Sequence, residues 1–139
     1  MSSDLLEVDV NREKGGVRVV RAVAAVDSGQ AVNPDGIRNQ IEGGIIQSSS
    51  WTLHEAVEFD TTAIKSADWS RYPILRFPEI PESVDVHVID RPGTPFLGTG
   101  EAAQGPTAAA IANAIAHATG ARIRELPLDR KRVRSAIGV

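Results

Sequence analysis

Three observations predict an α+β domain with antiparallel strands and two main helices. Apolar and charged residues alternate at Leu6, Val8 and Val10, and again at Val84, Val86 and Val88, as in half-buried strands. The turn residues Lys14-Gly15-Gly16 separate the first of these runs from a second β-rich run, Val17 to Val26, which makes a hairpin. Two stretches then carry helix signals. In the first, Asn33-Pro34-Asp35 supplies a capping side chain, a proline at the first helical position and an early acid facing the helix dipole. The second opens near Pro106, carries Ile111 and Ile115 on its apolar side and stops at Gly120.

Taken in order, Asp27-Ser28-Gly29 closes the second strand and a helix follows from about Pro34 to Glu55. Ile37, Ile41, Ile45 and Thr52 lie near one stripe of that helix. Gly43-Gly44 weakens it by roughly 1 kcal/mol per glycine relative to alanine, so the pair needs a compensating contact. Glu58 to Ile64 reads as a short strand, and Asp68 to Pro81, broken by prolines, as an extended surface crossing. After the strand at Val84 to Val88 comes the turn Arg91-Pro92-Gly93. Arg122 to Leu126 reads as a last short strand, and Asp129 caps a small basic helix running through Ile137.

The 139 residues, 42% of them hydrophobic, suffice for one core, so residues 1–139 are expected to form a single domain. A formal charge of -3 gives no field that would attract nucleic acid or an anionic membrane. Without cysteine the chain makes no disulfide, thiolate zinc site, cysteine nucleophile or iron–sulfur cluster of its own. The N-terminal residues lack the apolar run of a signal or a membrane span, which makes the cytoplasm the expected location.

Chemistry concentrates in Pro95-Phe96-Leu97-Gly98-Thr99-Gly100-Glu101. Without a β-carbon, Gly98 and Gly100 can adopt positive φ or let another group approach the main chain, and the following helix start favours anions. The plainer reading is a tight turn with Glu101 as a solvated acid. His54, His87 and His117 fall on three separate elements and lack metal-ligand spacing. Trp51 and Trp69 read as packing residues, Ser48-Ser49-Ser50 lacks the partners of a nucleophile, and the run Arg130-Lys131-Arg132-Val133-Arg134 reads as the exposed face of the terminal helix.

A set of ordered motifs narrows the reading: Ala25-Val26-Asp27-Ser28-Gly29, Val32-Asn33-Pro34, Gln40-Ile41-Glu42-Gly43-Gly44, Tyr72-Pro73-Ile74-Leu75-Arg76 and Gly98-Thr99-Gly100-Glu101. With Ala112-Asn113-Ala114-Ile115 and Arg122 to Leu128, they resemble the C-terminal segment of the molybdopterin-binding subunit of xanthine oxidase and aldehyde oxidoreductase type molybdenum hydroxylases, nearest the isoquinoline and nicotinate hydroxylases. The resemblance spans roughly Leu6 to Ile137 and makes the chain a partial molybdopterin-binding domain. It implies that Gln40 hydrogen-bonds the cofactor, that Gly98 and Gly100 adjoin it, and that Glu101 is the general base. Glu101 would accept a proton as a water-derived oxygen attacks an electron-poor carbon of an N-heterocycle or aldehyde.

Because pterin sulfurs hold the molybdenum in this family, no protein metal ligand is expected. The resemblance further implies two partners, a larger molybdenum-subunit chain and an iron–sulfur subunit, with the clusters on those chains and no cofactor on the isolated chain. Activity would require such completion. The alternative is a catalytically inactive remnant that forms a homo-oligomeric structural module, with the first strand leaving an exposed edge to be paired.

Overall fold

The computed structural model describes residues 1–139. In chain order the elements are β1 (Ser2–Asn11), β2 (Gly16–Asp27), α1 (Pro34–Leu53), a single 3-10 turn (Phe77–Glu79), β3 (Ser83–Ile89), α2 (Gln104–Thr119) and α3 (Arg130–Ile137). The expected α+β class holds. Asn33 caps α1, its Oδ1 accepting from Gly36 N at 3.0 Å. Gly120, at φ 80°, ends α2 in the left-handed conformation, and the Asp129 side chain caps α3 by accepting from Arg132 N.

The three strands form one sheet in the order β1-β2-β3. The hairpin is antiparallel as expected, but β3 pairs parallel to β2, from Arg21↔Ser83 to Asp27↔Ile89. The direction is set by the crossover: α1 carries the chain back along the sheet, so β3 starts from the end where β2 started. β1 is an edge strand, as its sequence position suggested.

One irregularity in β2 is concealed by its unbroken apolar run. Leu6 faces Ala22, yet Val8 faces Val19, so β2 carries an extra residue opposite Glu7/Val8. This bulge shifts the alternation by one, and Val19, Ala22, Ala24 and Val26 all point into the core. The small side chains at 22 and 24 leave room for the helices above them.

That core is a cluster of 12 buried residues in which Leu6 and the β2 residues meet Ile41, Ile45 and Leu53 of α1 and Ile111 and Ile115 of α2. Burying each of these isoleucines contributes roughly 1.5–3 kcal/mol. Gly44 packs against the start of α2, where a β-carbon would stand 3.4 Å from Ala103 Cβ, an ordinary contact that does not demand glycine. Gly43 has no such neighbour.

Two short strands predicted from sequence do not form. Glu58 to Ile64 is reduced to an isolated bridge between Phe59 and Ile64, and Arg122 to Leu126 is irregular. Neither has a neighbouring strand to complete a ladder, and local β propensity does not suffice without one. α2 also begins two residues before Pro106, at Gln104. No helix is long and apolar enough to cross a membrane.

Candidate functional site

At the end of β2 a bracket of main-chain and ionic contacts joins two loops. Asp27 Oδ1 accepts from Gly29 N at 2.9 Å and Asp27 Oδ2 accepts from Arg91 Nη1 at 3.0 Å. These contacts, the Gly29 amide first and then Arg91, hold the Asp27 carboxyl below its ordinary pKa. Gly29 sits at φ +74°, and a β-carbon there would fall 2.0 Å from Pro95 O, so only glycine fits. Leu97 N donates to Ser28 O at 2.8 Å and Arg91 N to Gly29 O at 3.0 Å.

Beside this bracket lies a cleft of about 460 Å³ with a polar lining that includes Ser28, Gln30, Asn33, Gln40, Thr99 and Gly100. Val32, Phe96 and Leu97 form an exposed apolar rim. Gln40 Nε2 donates to Gly100 O at 3.0 Å, which brings two motifs 60 positions apart in the chain into direct contact. Glu101 follows Gly100 directly.

The glycines of the loop do not take the positive φ that their residue type permits. A β-carbon on Gly98 or Gly100 would meet nothing within 4 Å, so the space beside them is open. The Glu101 side chain is exposed and makes no hydrogen bond or ion pair, while its carbonyl accepts from Gln104 N at 3.2 Å. The buried surroundings suited to a general base are therefore not supplied by this chain: Glu101 sits in the turn preceding α2, outside the layer between helices and sheet. One site feature escaped the sequence. Ser28 is 2% exposed and its Oγ has no hydrogen-bond partner.

A larger depression, about 670 Å³, lies toward the other end of α1 among Leu53, His54, Leu75, Leu128 and Arg130, and includes neither Gln40 nor Glu101. Near it, Glu55 accepts from Ser50 Oγ through Oε1 and from the Tyr72 hydroxyl through Oε2, the latter at 2.8 Å. Leu75 N donates to Ser50 Oγ at 2.9 Å. The bond to Glu55, then burial, then the carboxylate's charge raise the Tyr72 pKa above 10.0. The serine run is thus structural, with Ser49 Oγ donating to Ile45 O at 2.8 Å.

His54, His87 and His117 stand on α1's C-cap, β3 and α2, and no group of three or more His, Cys, Asp or Glu is arranged to hold a metal ion. Trp51 is half-buried, but Trp69 is 69% exposed on the irregular crossing rather than packed.

A mixed sheet covered by helices carries, at the sheet's end, an open cleft lined by amide, hydroxyl and apolar side chains. The chain belongs to the molybdopterin cofactor-binding domain family, whose model matches residues 2–81. It is 50% identical over 132 residues to one of the subunits of nicotinate dehydrogenase from Pseudomonas putida, covering 95% of this chain and 11% of that protein. It is 34% identical to the beta chain of isoquinoline 1-oxidoreductase from Brevundimonas diminuta, covering 88% of this chain and 15% of the relative. The aldehyde oxidoreductase of Desulfovibrio gigas superposes with a TM-score of 0.82 at 31% identity, over 95% of this chain and 15% of that one.

The chain thus spans less than a fifth of the length of these relatives, and it is a member of the molybdenum hydroxylase family. Its cleft fits a pterin-type group on three observations: a lining serine whose hydroxyl has no partner, an amide side chain at the wall, and open space beside Gly100. The cleft's volume lies within the range of small-molecule sites.

Proposed function

We propose that this chain is the C-terminal part of the molybdopterin-binding subunit of a molybdenum hydroxylase acting on an N-heterocycle or aldehyde. The observation that carries the reading is the hydrogen bond from Gln40 to Gly100 O, which sets the amide of one family motif against the loop that presents Glu101. Gln40 holds the cofactor by its side-chain amide, and Gly98 and Gly100 let it approach the main chain. When bound, molybdopterin supplies the two-electron oxidation.

Glu101 accepts the proton of a water-derived oxygen as that oxygen bonds to the electron-poor substrate carbon. The substrate C–H is replaced by C–O, and two electrons and two protons leave. Glu101 serves as base only where neighbouring protein closes over it, because a water-filled surface offers neither positioning nor a tuned pKa. Its exposure in this chain supports completion by further polypeptide: the remaining length of a molybdenum-binding chain, and an iron–sulfur subunit that carries the electrons away.

Native mass and molybdenum content, measured together on protein isolated gently from its own source, test the reading. Stoichiometric molybdenum in an assembly with larger chains is the expected result. A metal-free homo-oligomer would replace it with a structural remnant of the family.

A further inference from the structure

We propose that Ser28 is a further cofactor contact, its Oγ hydrogen-bonding a polar atom of the molybdopterin cofactor in the cleft between Gln40 and the Phe96–Gly100 loop. The inference rests on the molybdenum hydroxylase reading above. Its starting point is that two buried side-chain oxygens lack hydrogen-bond partners, Ser28 Oγ and Thr52 Oγ1, and that their surroundings differ. Thr52 is wholly buried on α1 and lines neither that cleft nor the larger depression. Ser28 lines the cleft that Gln40 and Gly100 share.

A buried hydroxyl without a partner is unfavourable, and such groups in folded proteins call for an explanation. The acceptors of the residues flanking Ser28 are already engaged. Both Asp27 carboxylate oxygens are engaged, one by Gly29 N and one by Arg91, and Gly29 O is taken by Arg91 N. Ser28 O itself receives Leu97 N.

The same bonds make the residue a fixed mount. The main chain of Ser28 and Gly29 is clamped to the Arg91–Leu97 loop, the Asp27 side chain holds Arg91, and Gly29 admits no other residue. Only the serine side chain can move, among three staggered χ1 wells, and the hydroxyl can donate or accept in any of them. The Oγ is buried with the cleft empty, so a turn about χ1 on this fixed main chain brings the hydroxyl to a ligand atom in the cleft. Gln40 approaches the same cleft from α1, so the two side chains reach a ligand from different elements.

The test compares Ser28→Ala with Thr52→Val in the assembled enzyme. Cofactor release is followed by pterin fluorescence after mild dilution, and melting temperature is measured on cofactor-free and loaded forms. Loss of one hydrogen bond is expected to speed release from Ser28→Ala roughly 3- to 10-fold. The cofactor-free form of that variant should melt no lower than wild type, because no internal bond is removed. Thr52→Val should release cofactor at the wild-type rate.

Release from Ser28→Ala at the wild-type rate, with wild type fully loaded, would overturn the Ser28 contact and leave the family reading standing. A lower melting temperature in the cofactor-free Ser28→Ala form would also overturn it, by showing that the hydroxyl supports the fold. Wild-type assembly that binds no molybdopterin would overturn the functional reading and this inference with it.

Discussion

The two ends of α1 treat their polar groups in opposite ways. At the C-terminal end, Glu55 is saturated by Ser50 and Tyr72, and Ser50 also accepts the Leu75 amide. At the N-terminal end, Gln40 makes a single bond to a loop carbonyl, Ser28 Oγ makes none, and Glu101 has no side-chain partner. Both regions contain a carboxylate, a serine hydroxyl and a loop crossing over the helix. Polar groups that have met each other hold a loop in place, whereas groups left without partners remain available to bind something else.

The largest expected effect separates the two carboxylates. In the assembled enzyme, Glu101→Gln should reduce turnover by about 10²- to 10⁴-fold, the usual worth of a general base, while pterin and molybdenum content stay near wild type. Steady-state kinetics with metal analysis on the same preparation decides it. Near-normal turnover would remove Glu101 from the chemistry and dissolve the contrast with Glu55.

Glu55→Ala should act on structure alone. It leaves the Ser50 and Tyr72 hydroxyls without their shared acceptor, at a cost of about 1–3 kcal/mol. Hydrogen exchange should report lost protection at the Leu75 amide, with the Gln40 end unaffected. A loss of cofactor in this variant would mean that the two ends are coupled.

Smaller effects divide the ends by pH. Asp27 has a depressed pKa in the fold, so its contribution to stability is present above its ordinary value of 3.8 and is lost as pH falls through the lower folded value. Asp27→Asn should therefore flatten the acid limb of the stability profile. Tyr72 has a raised pKa, so its contribution is complete below 10.0 and is lost as pH rises through the folded value. Tyr72→Phe should flatten the alkaline limb. Melting curves across both ranges check the pair, and an unchanged limb in either variant would show that the corresponding carboxyl or hydroxyl is not held by its neighbours.

Much of this was legible along the chain. The hairpin, both main helices and the third strand follow from alternation, capping residues and glycine stops, all of which act over a few residues. The resemblance to the molybdenum hydroxylases pointed to Gln40, and the glycine loop before Glu101 stood out from its own residues. The failures have a common cause. Val17 to Val26 is apolar at nearly every position, so its pattern could not register a bulge that appears only against β1. Glu58 to Ile64 and Arg122 to Leu126 have strand composition but no strand beside them. Tyr72 and Ser50 were visible as residues, but their meeting at Glu55 requires the Asp68–Pro81 crossing to fold back on α1.

The sequence by itself therefore determined the hairpin, the third strand and the helices with their caps, and which residues are chemically able to bind or take a proton. Only the tertiary structure decided that β3 runs parallel to β2, that Gln40 touches Gly100, and that Ser28 is buried without a partner while Glu101 is left in water. The physical reason is range. Propensity, capping and periodicity are properties of neighbours in the chain, whereas burial and hydrogen-bond satisfaction depend on groups the chain brings together from far apart.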